Sequence, residues 1–157
     1  MTTTAGRVYG GLRPGTTTDS LRVAVSNGAL ADHLACFAPK PGDAILLPAG
    51  TVHAVGGSAV VFEVSENSDV TFRLYDWDHV DAGTGQPRAV QVDQAIDCTN
   101  FARGALGLAA PVVEETTPMS CSCRRLSVRA RSGPSTETTL LEVGLPGPAT
   151  EERSEGT

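Results

Sequence analysis

Short stretches of alternating apolar and polar residues occupy the middle of the chain, between residues 42 and 92. Alternation with a period of two is the pattern of a strand that buries one face. Glycine, proline, asparagine, aspartate and serine separate these stretches, and these residue types favour tight turns. The pattern therefore predicts an antiparallel meander or roll whose strands span residues 44–47, 52–55, 59–64, 70–75 and 89–92.

Strand and helix signals flank this meander on both sides. Residues 7–12 have the composition of a strand end. The run Thr18-Asp19-Ser20 offers N-cap residues for a helix over residues 21–26, and Asn27-Gly28 predicts where that helix stops. We expect two further short helices, at residues 31–37 and 93–98.

The length and the distribution of residue types predict one domain and a tail. A chain of 157 residues has room for a single domain with a modest hydrophobic core. Beyond residue 118 the sequence is rich in serine, threonine, proline and glycine. Such a composition buries too little apolar surface to offset the entropy of ordering. We therefore expect a folded domain over residues 1–118 and a low-complexity, disordered tail over residues 119–157.

Charge and cysteine usage narrow the classes of partner. The net charge of −6 argues against nucleic acid or an anionic membrane surface as a general partner. The first residues lack the basic and apolar regions of a signal peptide, and no apolar run reaches the length of a membrane span. The cysteines lack metal-finger spacing, which predicts a reduced, cytoplasmic protein; they are Cys36, Cys98, Cys121 and Cys123.

Strand alternation brings candidate chemical groups to one side of the predicted sheet. His53 follows a Pro-x-Gly turn and starts a strand, a position from which its side chain can point into a barrel. Arg73 shares a strand face with Thr71 and Tyr75, opposite the apolar face. If the strands curl so that their polar faces line one cavity, then His53, Glu63 and Arg73 come near each other.

The spacing around this histidine matches a known motif. Gly42-x5-Pro48-x-Gly50-x2-His53 resembles the second motif of the cupin superfamily, whose last position, usually asparagine, is Gly57 here. The resemblance implies a mainly β fold, namely a partial cupin-like, jelly-roll barrel with short N-terminal helices.

Longer runs are similar to class I mannose-6-phosphate isomerases. They are PGDAILLPAGTVHAVG from Pro41, FEVSENSDVTFRLYDWD from Phe62 and GQPRAV from Gly85. The run YGGLRPGTT from Tyr9 fits the segment that precedes them in the small bacterial forms, so the resemblance covers about residues 8–118. The joint spacing of these runs is far more specific than a cupin motif alone.

The resemblance implies an aldose–ketose isomerase that interconverts mannose 6-phosphate and fructose 6-phosphate with one divalent metal, usually zinc. In that family the metal polarises the sugar oxygens during proton removal. By motif match His53 resembles a metal ligand, and Arg73 resembles the catalytic arginine that stabilises negative charge on the sugar. Asp69 and Glu63 are the implied substrate contacts. Lys40 and Arg88 are weaker candidates for attracting the phosphate.

The sequence also departs from the family pattern. The family keeps its other metal ligands N-terminal to the segment at Tyr9, and a catalytic zinc normally has three protein ligands. The family often has glutamine where Ser65 stands and arginine where His79 stands. We therefore expect an isomerase-like chain that is truncated at both ends, with an incomplete ligand set around His53.

Other interpretations of the same residues stay open. Arg73 can form an ion pair with Glu63 or Asp69 at a barrel mouth, and Asp69 suits a turn. His79 is expected to face solvent and Trp77 to serve packing. For the whole chain, the alternatives to an isomerase are a noncatalytic cupin module that binds a sugar or a metal, or an inactive fragment whose exposed barrel edge promotes association.

Overall fold

The computed structural model describes residues 6–40, 43–57, 59–65, 68 and 70–108, and the backbone of residues 119–122, 127–132 and 139–144. The chain divides into two compact units, Met1–Leu108 and Ala109–Thr157. In the described residues strands outnumber helices, and this confirms the predicted mainly β class. No helix in these ranges is long and apolar enough to cross a membrane.

A three-stranded antiparallel sheet organises the first unit. Its central strand is β1 (Arg7–Leu12), which pairs with β2 (Leu34–Phe37) on one side and with β3 (His53–Gly56) on the other. The strands predicted at residues 7–12 and 52–55 are therefore confirmed. The pairing of β1 with β2 is irregular near Gly11, whose φ of +81° is a conformation that glycine adopts without steric cost.

Helix α1 (Thr18–Ser26) begins at a side-chain cap. Thr17 accepts a hydrogen bond from the backbone N–H of Ser20, and the Ser20 hydroxyl accepts one from the backbone N–H of Thr17. This reciprocal pair is a capping box, so the N-cap is one residue earlier than the run predicted from sequence. Asn27 is the C-cap, as predicted.

The helix expected at residues 31–37 is wrong for most of its length. A single 3₁₀ turn spans Leu30–His33, and the chain is extended from Leu34 onward as strand β2. Pairing with β1 decides the outcome, since Leu34 lies opposite Leu12 in the sheet. Tertiary hydrogen bonds have overridden a weak local helix preference.

The second helix, α2 (Val92–Asp97), lies within one residue of its predicted bounds. Asp93 at its first turn accepts a hydrogen bond of 2.5 Å from Arg22 of α1. Both side chains are largely exposed, so this ion pair orients the two helices and contributes little to stability.

The hydrophobic core packs the helices against the sheet. Leu21, Leu30 and Leu34 are its largest fully buried side chains. The other buried members of the core are Leu12 of β1, Ala95 and Ile96 of α2, and Leu74. The core therefore packs both helices against the segment around Leu74, which also lines the cavity described below.

Most of the predicted meander does not form regular strands in the described residues. Residues 59–65 and 70–75 form no ladder, and the segments at 44–47 and 89–92 form none either. At Arg73 the backbone N–H donates to the Gln91 side chain, and the Arg73 carbonyl accepts from the Gln91 N–H. Alternation marks which side chains can share a face, whereas a strand also needs a neighbouring backbone to pair with.

The second unit contains a three-stranded antiparallel sheet of β4 (Met119–Ser122), β5 (Ser127–Ser132) and β6 (Thr139–Gly144). These three strands lie within residues 119–157, the stretch for which the sequence predicts a disordered tail. β5 and β6 pair in register over their whole lengths. Short alternating runs such as SVRARS and TLLEVG are sufficient for pairing, although the serine- and threonine-rich composition around them concealed this signal.

Replacing Leu21 with alanine should lower the free energy of unfolding by about 2–5 kcal/mol, because it leaves a cavity at a fully buried position. Val23→Ala on the same helix is the matched control, since Val23 is 59% exposed and its truncation leaves no cavity. Urea unfolding followed by circular dichroism compares the two variants. Equal losses of stability would contradict the core assignment.

Candidate functional site

An open cavity of about 970 Å³ lies beside β3 in the first unit. Its lining comes from three stretches of chain, residues 47–57, residues 70–79 and the start of β1, together with side chains that close its ends. His53 and Arg73 both line this cavity. Two of the residues that the sequence singled out for chemistry therefore share one cavity in the structure.

His53 is positioned by the turn that precedes β3. The backbone N–H and the hydroxyl of Thr51 both bond the Pro48 carbonyl, at 3.2 and 2.6 Å, and Gly50 has a φ of +78°. β3 begins at His53, as the Pro-x-Gly spacing predicted. The turn thus places the imidazole at the start of a paired strand.

The imidazole of His53 has one nitrogen engaged. Its Nδ1 lies 2.9 Å from the carbonyl oxygen of Thr51. A carbonyl can only accept a hydrogen bond, so Nδ1 is the donor, and in the neutral ring the lone pair is then on Nε2. The side chain is exposed, and Nε2 is the atom through which it can bind a metal or accept a proton.

Arg73 is held by its backbone and by its guanidinium. Two hydrogen bonds to Gln91 hold the backbone. Its Nη1 donates to the Ala89 carbonyl at 3.4 Å, and its Nε lies 3.3 Å from Oδ1 of Asp76. The sequence suggested Glu63 or Asp69 as the ion-pair partner; among the described residues, which include Glu63, the partner is Asp76, three residues along the chain.

Asp76 is the site residue that sequence reasoning missed. Its carboxylate accepts from Arg88 twice, Nε to Oδ2 at 2.8 Å and Nη2 to Oδ1 at 2.5 Å. The hydrogen bonds and charge of Arg88, helped by the charges of Arg73 and His79, hold the pKa of Asp76 below its usual value. In turn, Asp76 raises the pKa of Arg88. The sequence contained one signal that could have revealed this cluster, namely the i,i+3 spacing of Arg73 and Asp76.

The turn after Asp76 has unusual backbone geometry. The His79 N–H donates to the Asp76 carbonyl at 2.9 Å, which closes a four-residue turn. Its two central residues, Trp77 and Asp78, have φ values of +48° and +55°. Positive φ at both central positions belongs to primed turns, in which glycine, asparagine and aspartate predominate, so Asp78 suits its position and Trp77 is the unusual residue. The turn therefore carries backbone strain beside the cavity.

Trp77 forms an aromatic cluster on the cavity wall. Its ring lies 6.0 Å from that of Tyr9, tilted by 31°, and 5.3 Å from that of Tyr75 in an edge-on arrangement. All three side chains line the cavity. The expectation that Trp77 serves packing is correct for these contacts, but the residue is still 45% exposed.

Arg88, a predicted phosphate contact, lines this cavity, whereas Glu63 and Lys40 do not. Glu63 is exposed and lies outside the lining, because residues 59–65 do not pair into the strand that would have turned it inward. Lys40 lies outside the lining as well, and its backbone N–H bonds the Asp43 carboxylate. Asp69 falls outside the described residues.

The described residues do not complete a zinc site. Within the ranges that the structure describes, no group of three or more histidine, cysteine, aspartate or glutamate side chains is close enough to hold a metal ion. The carboxylate of Asp76 faces the cavity but is occupied by two guanidinium groups. The described residues therefore fall short of the three protein ligands that a catalytic zinc normally has.

Comparison with known proteins supports the resemblance seen in the motifs. The chain is 38% identical over 82 residues to the mannose-6-phosphate isomerase ManA of Bacillus subtilis, which is 52% of this chain and 26% of that protein. It is 39% identical over 75 residues to the mannose-6-phosphate isomerase of Streptococcus mutans, 47% of this chain and 23% of that protein. No protein-family model matches the chain.

A solved structure shows the fold. The crystal structure of the mannose 6-phosphate isomerase from Bacillus subtilis superposes with a TM-score of 0.59 at 24% identity, over 80% of this chain and 37% of that one. The mainly β, partial cupin-like fold is thereby confirmed, as is the resemblance to mannose-6-phosphate isomerases. The chain spans about a quarter of the length of the curated relatives that it matches.

Asp76→Asn should remove a pH-dependent part of the stability. The pKa of Asp76 in the folded protein lies below its ordinary value of 3.8, so the ionised carboxylate stabilises the fold fully above that pH. This contribution is lost as the pH falls through the folded pKa. Unfolding free energies measured from pH 7 to pH 2 should favour the wild type at pH 7 and converge below pH 3.8.

Arg88→Gln should produce the same convergence, because Arg88 is the main cause of the shift in the pKa of Asp76. A stability difference between the wild type and Asp76→Asn that stays constant down to pH 2 would contradict the ion cluster.

Proposed function

We propose that this protein binds a phosphorylated hexose in its cavity and interconverts mannose 6-phosphate and fructose 6-phosphate, in the cytoplasm. The observation that carries the proposal is that His53 and Arg73 line one cavity. The names of the curated relatives support the substrate. Because the relatives are matched over about a quarter of their length, the proposal concerns the part of the site that this chain supplies.

The arginines of the cavity suit an anionic sugar. Arg73 is the catalytic residue of the proposal, since its permanent positive charge stabilises negative charge that develops on the sugar oxygens. Arg88 and His79 line the same cavity and attract the phosphate group. Glu63 and Asp69 stay predicted substrate contacts, and neither receives support from the geometry of the described residues.

The metal is the incomplete part of the proposal. A bound zinc would supply polarisation of the sugar oxygens. His53 offers its Nε2 as one ligand, and the described residues do not furnish the other two, so zinc does not fit this cavity on these side chains alone. An active isomerase therefore needs ligands from outside the described residues, either in this chain or in another.

A noncatalytic cupin module that binds a sugar phosphate is the second candidate. The observation that favours it is the state of Asp76, whose two oxygens are both bonded to guanidinium groups. The carboxylate in the cavity is therefore committed to positioning arginines, which serves binding of an anion and supplies no metal ligand.

Arg73→Gln should weaken the binding of mannose 6-phosphate by about tenfold to a hundredfold, the usual cost of losing a hydrogen bond to a charged group. Isothermal calorimetry measures the affinity. Arg103→Gln is the charge-matched control, because Arg103 is exposed and lies outside the cavity lining. An equal effect of the two substitutions would show that only net charge matters.

His53→Asn should lower the affinity of the full chain for added zinc, measured by calorimetry, because it removes the imidazole that the cavity offers. His33→Asn is the control, since the His33 imidazole lies 3.4 Å from the Thr16 hydroxyl and outside the cavity lining. Binding of mannose 6-phosphate by the wild type without turnover under any metal condition would refute the isomerase and favour the noncatalytic module.

A further inference from the structure

We propose that Trp77 is a stacking platform for the carbon face of the bound sugar, held in place by the Asp76–His79 turn. The inference deepens the proposed function and rests on it, because it assigns a sugar-contacting residue to the same cavity. It predicts that the ligand must combine an anionic group with an apolar C–H surface.

The strain in the turn has to be offset by other contacts. Trp77 and Asp78 both have positive φ, which aspartate tolerates and a bulky residue such as tryptophan adopts only at a cost. The turn is anchored at its start by Asp76, which is bonded to Arg88 and Arg73. The ion cluster therefore maintains a backbone conformation that the local sequence disfavours.

This strained turn places the indole ring of Trp77 in the same cavity lining as Arg73 and Arg88. Tyr9 and Tyr75 support the ring of Trp77 from two directions, and both contacts have the tilted or edge-on geometry that aromatic pairs prefer. The residue nevertheless stays 45% exposed on a wall that also carries Arg73 and Arg88. A purely structural tryptophan would be expected to bury more of its surface.

The neighbouring groups define the kind of ligand. The C–H face of a hexose packs on an aromatic ring, and an indole presents a large rigid surface with few rotatable bonds. Arg73, Arg88 and His79 lie around the same space and favour an anionic group. An aromatic platform next to cationic side chains matches a sugar phosphate better than a neutral sugar or inorganic phosphate, because each of those lacks one of the two features.

Trp77 is the single tryptophan of the chain, so its fluorescence reports this position alone. Mannose 6-phosphate, mannose and inorganic phosphate are the three probes, each titrated into the full chain. We expect mannose 6-phosphate to change the tryptophan emission saturably. Mannose and inorganic phosphate should each require a higher concentration, since each makes only part of the contact.

Substitutions of Trp77 test whether its ring contacts the sugar or only lies near it. Trp77→Leu should weaken the affinity for mannose 6-phosphate about three- to tenfold in calorimetry, whereas Trp77→Phe should restore most of it because a flat ring returns. Phe62→Leu is the matched control, because Phe62 is an exposed aromatic residue outside the cavity lining and its loss should leave the affinity unchanged. Circular dichroism melts verify that each variant is folded.

The outcomes distinguish the platform from the proposed function. If mannose 6-phosphate binds the wild type and Trp77→Leu with equal affinity and leaves the emission of Trp77 unchanged, the platform is overturned and the sugar-phosphate site stands. If the wild type gives no heat with mannose 6-phosphate, both are overturned. If Trp77→Leu is unfolded, two other results decide. The platform is overturned if Trp77→Phe is folded but does not bind mannose 6-phosphate. It is also overturned if the wild-type emission is unchanged at saturation.

Discussion

The carboxylate of Asp76 is the contact on which the cavity depends. It accepts two hydrogen bonds from Arg88 and lies within ion-pair distance of Arg73, so one side chain sets the direction of two cations. Only 13% of the side chain is exposed. The guanidinium groups of Arg73 and Arg88 are 34% and 43% exposed, so water still reaches the cluster, and its main effect is the fixed geometry of the two-point contact with Arg88. The turn that carries Trp77 begins at the same residue.

The same cluster places positive charge on one cavity of an acidic protein. The chain has a net charge of −6, yet three arginines line the cavity: Arg7, Arg73 and Arg88. Asp76 neutralises part of this charge while it fixes the guanidinium groups in place. Local arrangement of charge, and not the net charge, therefore decides what this cavity attracts.

Local signals in the sequence were sufficient for several elements. Three of them follow from residues that are neighbours in the chain: the strand at Arg7–Leu12, the end of α1 at Asn27 and the turn that starts β3 at His53. The family resemblance followed from runs of residues as well, and it located His53 and Arg73. Local hydrogen bonds, caps and turn preferences are encoded within a few residues, which is why these expectations were accurate.

The sequence by itself determined the mainly β class, the resemblance to mannose-6-phosphate isomerases, and His53 and Arg73 as two residues of interest, both of which line the cavity. Only the tertiary structure decided that residues 70–75 form no strand, that Arg73 pairs with Asp76 and not with Glu63, and that Trp77 faces the same space. Arg88 lies twelve residues beyond Asp76, and no periodic pattern connects the two. Such contacts arise when the folded backbone brings distant groups together, and their formation depends on burial and pairing that alternation of side chains does not encode.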